Sequence, residues 1–302
     1  MSGAVRRWRP DFPLDLARTL LPLRRGPADP SYRTTGDGAV WRASRTPAGP
    51  GTLRMAARAG EVEARAWGPG AQWLLDQLPA LCGAADDPSG LVLPPGPLRD
   101  AQRRNADVQL GRTGLVLESL VPAILEQKVT SDEAYRSWRT LLRDFGTPAP
   151  GPAEGMRVAP SAREWALLPS WEWHRAGVDP KRAATVVRAA RLAPRLEEAS
   201  AFAHAEAFTR LTAVPGIGIW TAAETLQRSN GDPDAVSVGD YHLPNLVGWA
   251  LAGRPRSDDA QMLALLAPYT GHRYRVCRLI ALTGAHAPRY GPRLAPNDHR
   301  HR

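Results

Sequence analysis

The stretch Leu211-Thr212-Ala213-Val214-Pro215-Gly216-Ile217-Gly218-Ile219-Trp220-Thr221-Ala222-Ala223 decides how the rest of the chain is read. Helical apolar spacing on both sides predicts two helices, over about 202–213 and 219–228, joined by a very short Pro-Gly-x-Gly turn. Gly216 and Gly218 free the backbone for positive φ and let another chain approach closely. The first N–H groups of the second helix have no intrahelical acceptor and form an anion site. A nucleic-acid phosphate suits such a site without any reading of base sequence. An isolated Pro-Gly-x-Gly is more often a plain tight turn between packed helices.

Twenty-two residues beyond Gly218 stands Val238-Gly239-Asp240-Tyr241-His242-Leu243. Asp240 precedes a helical pattern of Leu243, Val247 and Leu251, so one reading makes it an ordinary N-cap. The other makes it a carboxylate at a helix start facing a cleft, able to stabilise an oxocarbenium-like sugar and orient water.

Working outward, the 302 residues suggest about two domains with ample core. The net charge of +9 favours polyanionic partners, and the excess is arginine, since Lys128 and Lys181 are the only lysines. No apolar run approaches the ~20 residues a spanning helix needs, and the N-terminus lacks a signal-type apolar region. Two cysteines, Cys82 and Cys277, cannot hold a disulfide framework or a four-thiolate cluster, and a reducing cytoplasm fits.

Residues 1–97 read as an α+β domain: a helix near 15–23, strands near 31–35, 39–46, 51–57 and 61–67 in an antiparallel meander, and a helix over 70–81. A Pro/Gly-rich stretch at 87–97 marks the boundary. Residues 98–302 read as helical, with helices near 115–126, 131–145, 180–192, 241–251 and 272–283 among others. His272-Arg273-Tyr274-Arg275 with Arg278 reads as a phosphate track or a solvated face, and the Arg293–Arg302 tail as a fraying basic segment.

The hairpin followed by Asp240-Tyr241 resembles the helix-hairpin-helix DNA glycosylase superfamily, most closely its AlkA-type 3-methyladenine branch. Ile124-Leu125-Glu126-Gln127-Lys128-Val129 and Gly177-Val178-Asp179-Pro180-Lys181-Arg182-Ala183 are similar to two further segments of that family. The resemblance implies a mostly α fold with an N-terminal α+β domain and two helical lobes, 113–230 and 98–112 plus 231–302, about a central cleft. It implies a monomer acting on double-stranded DNA with a damaged base, with no membrane, metal or organic cofactor, in the cytoplasm at the nucleoid.

By this resemblance Asp240 is the catalytic carboxylate, and Val214, Pro215, Gly216, Ile217, Gly218 and Thr221 grip a backbone phosphate. The target base is flipped out of the stack before cleavage. Gln127 and Lys128 fall where the gap left by the flipped base is filled; Lys128 departs from the usual apolar wedge and is otherwise a solvated loop charge. Trp220 stands where lyase members carry a nucleophilic lysine, so the implied enzyme leaves an abasic site without cutting the strand. Trp220, Tyr241 and Glu224 are expected in the base pocket, Trp220 as a cation–π wall for an alkylated purine. Glu224 departs from a pocket tyrosine and Ile280 from an aromatic of the closest relatives, which leaves oxidised or deaminated bases as the alternative lesion class, and non-catalytic DNA binding as the alternative activity. Trp171-Glu172-Trp173-His174 reads as packing or as a cleft wall.

Overall fold

The computed structural model describes residues 3–288. The tail expected to fray lies outside them. β1 (Ala4–Trp8), β2 (Tyr32–Thr34), β3 (Val40–Thr46), β4 (Gly49–Arg58) and β5 (Glu61–Trp67) form one antiparallel sheet in the order β1-β5-β4-β3-β2. The β2–β5 meander is the expected one. β1 adds an edge that the sequence pattern does not reveal, pairing Ala4 with Ala66 and Trp8 with Val62. Leu74, Leu75, Leu78 and Leu81 of helix Ala71–Leu81 pack on Leu53, Met55, Val62 and Ala64 of the sheet.

Helix Val116–Leu125 runs through the middle of the helical part, burying Val116, Leu120, Val121, Ile124 and Leu125. Helices Ser131–Phe145, Pro180–Arg191, His204–Thr212 and Ile219–Ser229 contribute to the same core. Ser131–Phe145 starts at a complete capping box of Thr130 and Glu133. The start of Val116–Leu125 has no local cap; instead Glu197 accepts the N–H groups of Val116 and Leu117, both at 2.8 Å.

A separate apolar core joins helices Leu243–Ala252, Asp259–Leu266 and Arg273–Leu282. Leu91 and Leu93 enter it, so the Pro/Gly-rich stretch packs against these helices. The fold is thus mostly α with a small N-terminal antiparallel sheet.

The N-terminal part of the chain braces both ends of Val116–Leu125 and the helix that follows it. Arg42 pairs with Glu118 at 2.6 Å, Arg25 with Glu126 at 3.1 Å, and Trp138 Nε1 donates to Asp29 Oδ1 at 3.0 Å. Burial pushes the Glu118 carboxyl up, with Arg42 opposing it. Of these ties, Arg25–Glu126 sits at the C-cap of the helix, next to the turn that carries Gln127 and Lys128.

Candidate active site

The hairpin joins helices His204–Thr212 and Ile219–Ser229. Its apolar residues Val214 and Ile217 are buried in the helical core, and the Ile217 N–H donates to the Val214 carbonyl at 3.0 Å. The two glycines serve different ends, which corrects the expectation of a shared positive φ. Gly216 has φ +96°, and a Cβ there would lie 2.3 Å from Thr185 Oγ1. Gly218 is extended, with φ −93° and ψ −178°, and a Cβ there would meet nothing within 4 Å. Gly216 makes the turn; Gly218 leaves an open backbone face.

Gln127 ties the preceding lobe segment to this hairpin. Its Nε2 donates to the Gly216 carbonyl at 3.0 Å and to Thr221 Oγ1 at 2.8 Å. Arg188 Nη1 donates to the Pro215 carbonyl at 2.5 Å. The residues expected to grip DNA are therefore one connected unit. Lys128 is exposed at its edge with φ +55°, a left-handed conformation that costs a lysine about 1–2 kcal/mol. Thr185 and Arg188, on helix Pro180–Arg191, are parts of this unit that sequence reasoning missed.

Asp240 lies against the first turn of helix Ile219–Ser229 and is partly exposed. Trp220 Nε1 donates to Asp240 Oδ2 at 3.1 Å. Asp240 Oδ1 accepts the N–H of His242 at 2.8 Å and of Leu243 at 2.9 Å. The following helix is Leu243–Ala252, not starting at 241 as expected, and its N-cap position is His242. Asp240 nevertheless does a cap's work with one oxygen while the other faces the indole. Tyr241, next to Asp240 in the chain, is 75% exposed, and Ile219, next to Trp220, is 54% exposed.

Glu224, one turn beyond Trp220, has both oxygens engaged. Oε2 pairs with Arg228 at 2.7 Å and Oε1 accepts the Ser237 hydroxyl at 2.5 Å. Gln227 Nε2 donates to Ser237 Oγ at 2.9 Å and to the Ala235 carbonyl at 2.8 Å. Nearby charge from Glu224 and Glu126 raises Arg228 above its ordinary value against its own burial. Cys277 lies close enough for Asp240's charge to act on it, and burial pushes its thiol up to about 12.

Other sequence readings resolve differently. Arg273 clasps Asp234 through two nitrogens, at 2.8 and 2.5 Å, and Arg275 pairs with buried Asp86. They are internal struts, which corrects the phosphate-track reading, because each guanidinium found an acid that lies far off in sequence. Ile280 is fully buried in the C-terminal core and walls no pocket. Trp173 is buried and stacked on Trp165, whereas Trp171 is 67% exposed. Among the described residues no three acidic, His or Cys side chains gather to hold a metal, and no helix is long and apolar enough to cross a membrane.

No family model and no curated protein matches the sequence. The fold does match solved structures, DNA glycosylases among them. A 3-methyladenine DNA glycosylase from Archaeoglobus fulgidus superposes with TM-score 0.74 at 15% identity, over 92% of this chain and 97% of that one. The apo form of an 8-oxoguanine glycosylase/lyase from Clostridium acetobutylicum gives 0.72 at 9% identity, over 94% and 100%. The same enzyme with double-stranded DNA containing cytosine opposite 8-oxoguanine gives 0.68 at 9%, over 94% and 98%.

Proposed function

We propose that this chain is a monofunctional DNA N-glycosylase, nearest the AlkA-type branch, that flips an alkylated purine out of duplex DNA and hydrolyses its N-glycosidic bond. The observation that carries this reading is the 3.1 Å bond from Trp220 to Asp240, which joins a partly exposed carboxylate to the helix that opens at the hairpin. In this reading the open backbone at Gly218, with the first N–H groups of the helix, receives a phosphate of the damaged strand. Lys128 enters the space the base vacates, its stem among bases and its ammonium toward phosphate.

As the base leaves, positive charge develops on the deoxyribose. A carboxylate about 4 Å away contributes roughly 4 kcal/mol at an effective dielectric near 20, or about a thousandfold in rate. Water completes the substitution. Position 220 holds tryptophan, so no amine attacks the sugar there and the strand stays intact. The faces of Trp220 and the exposed Tyr241 suit a cationic alkylated base. The enzyme works as a monomer in the cytoplasm, on nucleoid DNA, at the start of base-excision repair.

The test is chromatographic release of free base from methylated duplex DNA. The wild type releases 3-methyladenine or 7-methylguanine, and Asp240→Asn releases it about a thousandfold more slowly. Equal release by both proteins removes Asp240 from its role. The shared fold with an 8-oxoguanine enzyme motivates a second arm with oxidised and deaminated bases: release there alone keeps the glycosylase and changes its lesion class.

A further inference from the structure

We infer that Ser237, Glu224 and Gln227 are positioning residues that hold the Asp240 loop at a fixed height over the hairpin helix. The inference rests on the catalytic reading of Asp240 for its effect on rate, and on geometry alone for its effect on the loop. Trp220, Glu224 and Gln227 stand at i, i+4 and i+7 of one helix and share a face. Each reaches the same neighbouring segment. Trp220 meets Asp240 Oδ2, Glu224 meets the Ser237 hydroxyl, and Gln227 meets both Ser237 Oγ and the Ala235 carbonyl. Asp240 N–H in turn donates to the Ser237 carbonyl at 3.2 Å, so the pinned serine carries the aspartate directly.

Ala235 and Val236 anchor the start of the segment in the apolar cores, and the hold weakens towards Asp240. Residues 235–242 form no helix or strand. Gly239 has φ +91° and a Cβ there would meet nothing, so the backbone beside Asp240 is loosely packed. Its N–H is held only by Asp259, at 3.1 Å, across exposed surface. Ser237, by contrast, is 3% exposed and Gln227 6% exposed. The buried ladder on the helix is therefore the rigid reference, and Arg228 completes it by engaging the other Glu224 oxygen. On this assignment the Glu224 carboxylate is committed to the loop and does not choose the base.

The geometric test compares wild type, Ser237→Ala, Glu224→Leu and Glu224→Gln by amide hydrogen exchange over residues 236–243. Ser237→Ala and Glu224→Leu are expected to exchange at least tenfold faster there. Glu224→Gln keeps an oxygen for the Ser237 hydroxyl and should lose less than Glu224→Leu. Unchanged protection in Ser237→Ala overturns the inference, whether or not any base is released.

The functional test is steady-state excision from a lesion duplex over a range of substrate concentrations. A loop displaced by an ångström costs on the order of 10- to 100-fold, so kcat falls by that factor in Ser237→Ala while KM holds within about twofold. Glu224→Gln recovers part of the rate lost in Glu224→Leu. A changed KM or a changed ranking of lesions in the Ser237 and Glu224 variants overturns the inference and makes Glu224 a base contact. If the wild type releases no base from any duplex, the glycosylase reading fails, and hydrogen exchange alone decides the positioning role.

Discussion

The two hairpin glycines can be separated by one methyl group. In Gly216→Ala the new Cβ lies 2.3 Å from Thr185 Oγ1 and 2.9 Å from its Cγ2. The backbone there also sits at φ +96°. The left-handed conformation costs about 1–2 kcal/mol, and forcing a methyl into the packed contact adds about 1–3. The expected destabilisation is therefore about 2–5 kcal/mol, read as a shifted urea midpoint. Thr185→Ala removes the two closest contacts but leaves its own Cβ at 3.2 Å and the dihedral, so Gly216→Ala/Thr185→Ala should recover up to about half of it. Gly218→Ala meets nothing within 4 Å and needs no positive φ, so stability should hold or rise by about 0.4–1 kcal/mol. What it should lose is duplex affinity, because the methyl occupies the face where a strand approaches; about tenfold is expected in a fluorescence titration at fixed salt. A Gly218→Ala protein that binds duplex DNA as tightly as wild type refutes the assignment of the hairpin as the strand grip. A Gly216→Ala protein of wild-type stability refutes the packing argument.

Four further outcomes follow from single contacts. Lys128→Gly relieves a φ of +55°, so it should gain about 1 kcal/mol in denaturant stability while base excision falls, since the presented stem is lost. Asp86→Ala strands the buried Arg275 guanidinium and should cost about 3–5 kcal/mol, whereas Arg273→Gln should leave the salt dependence of DNA binding unchanged. The hydrogen bond to Asp232 raises His204 above its ordinary value. Its stabilisation is therefore complete below the unfolded value near 6.5 and is lost as pH rises through the folded one. In His204→Gln, the urea midpoint should lose that part of its fall across this range.

What the sequence disclosed follows the reach of its interactions. Helix Ser131–Phe145 was legible to the residue because its capping box, Thr130 to Glu133, is local. β5 was legible at Glu61–Trp67 for a similar reason, being bracketed by Gly60 and Gly68. β1 was not: its residues are mostly exposed, and only pairing with β5 makes Ala4–Trp8 a strand. Arg273 and Arg275 looked solvated because their acids lie 39 and 189 residues away. The hairpin and Asp240 were legible as separate motifs, while the Trp220–Asp240 bond and the Gln127 bridge are products of the fold. Ser237 and Gln227 carried no signal beyond the shared helix face of Trp220, Glu224 and Gln227.

The cap reading and the proposed catalytic reading of Asp240 are usually rivals, but its two oxygens have different partners, which leaves room for both. That division predicts what its neutral replacement does to the fold. Asn caps as well as Asp, so in Asp240→Asn the amide oxygen can keep the His242 and Leu243 N–H groups. The amide nitrogen then faces Trp220 Nε1, a donor opposed to a donor, where Oδ2 had accepted at 3.1 Å. Flipping the amide is worse, since two backbone donors would meet it instead. Asp240→Asn should therefore lose about 1–2 kcal/mol in addition to its activity. Replacing the indole as well, in Asp240→Asn/Trp220→Phe, removes the opposed donor and should restore most of that stability without restoring excision. A double variant no more stable than Asp240→Asn means that the indole bond is incidental to the aspartate's placement, and the geometric support for the site goes with it.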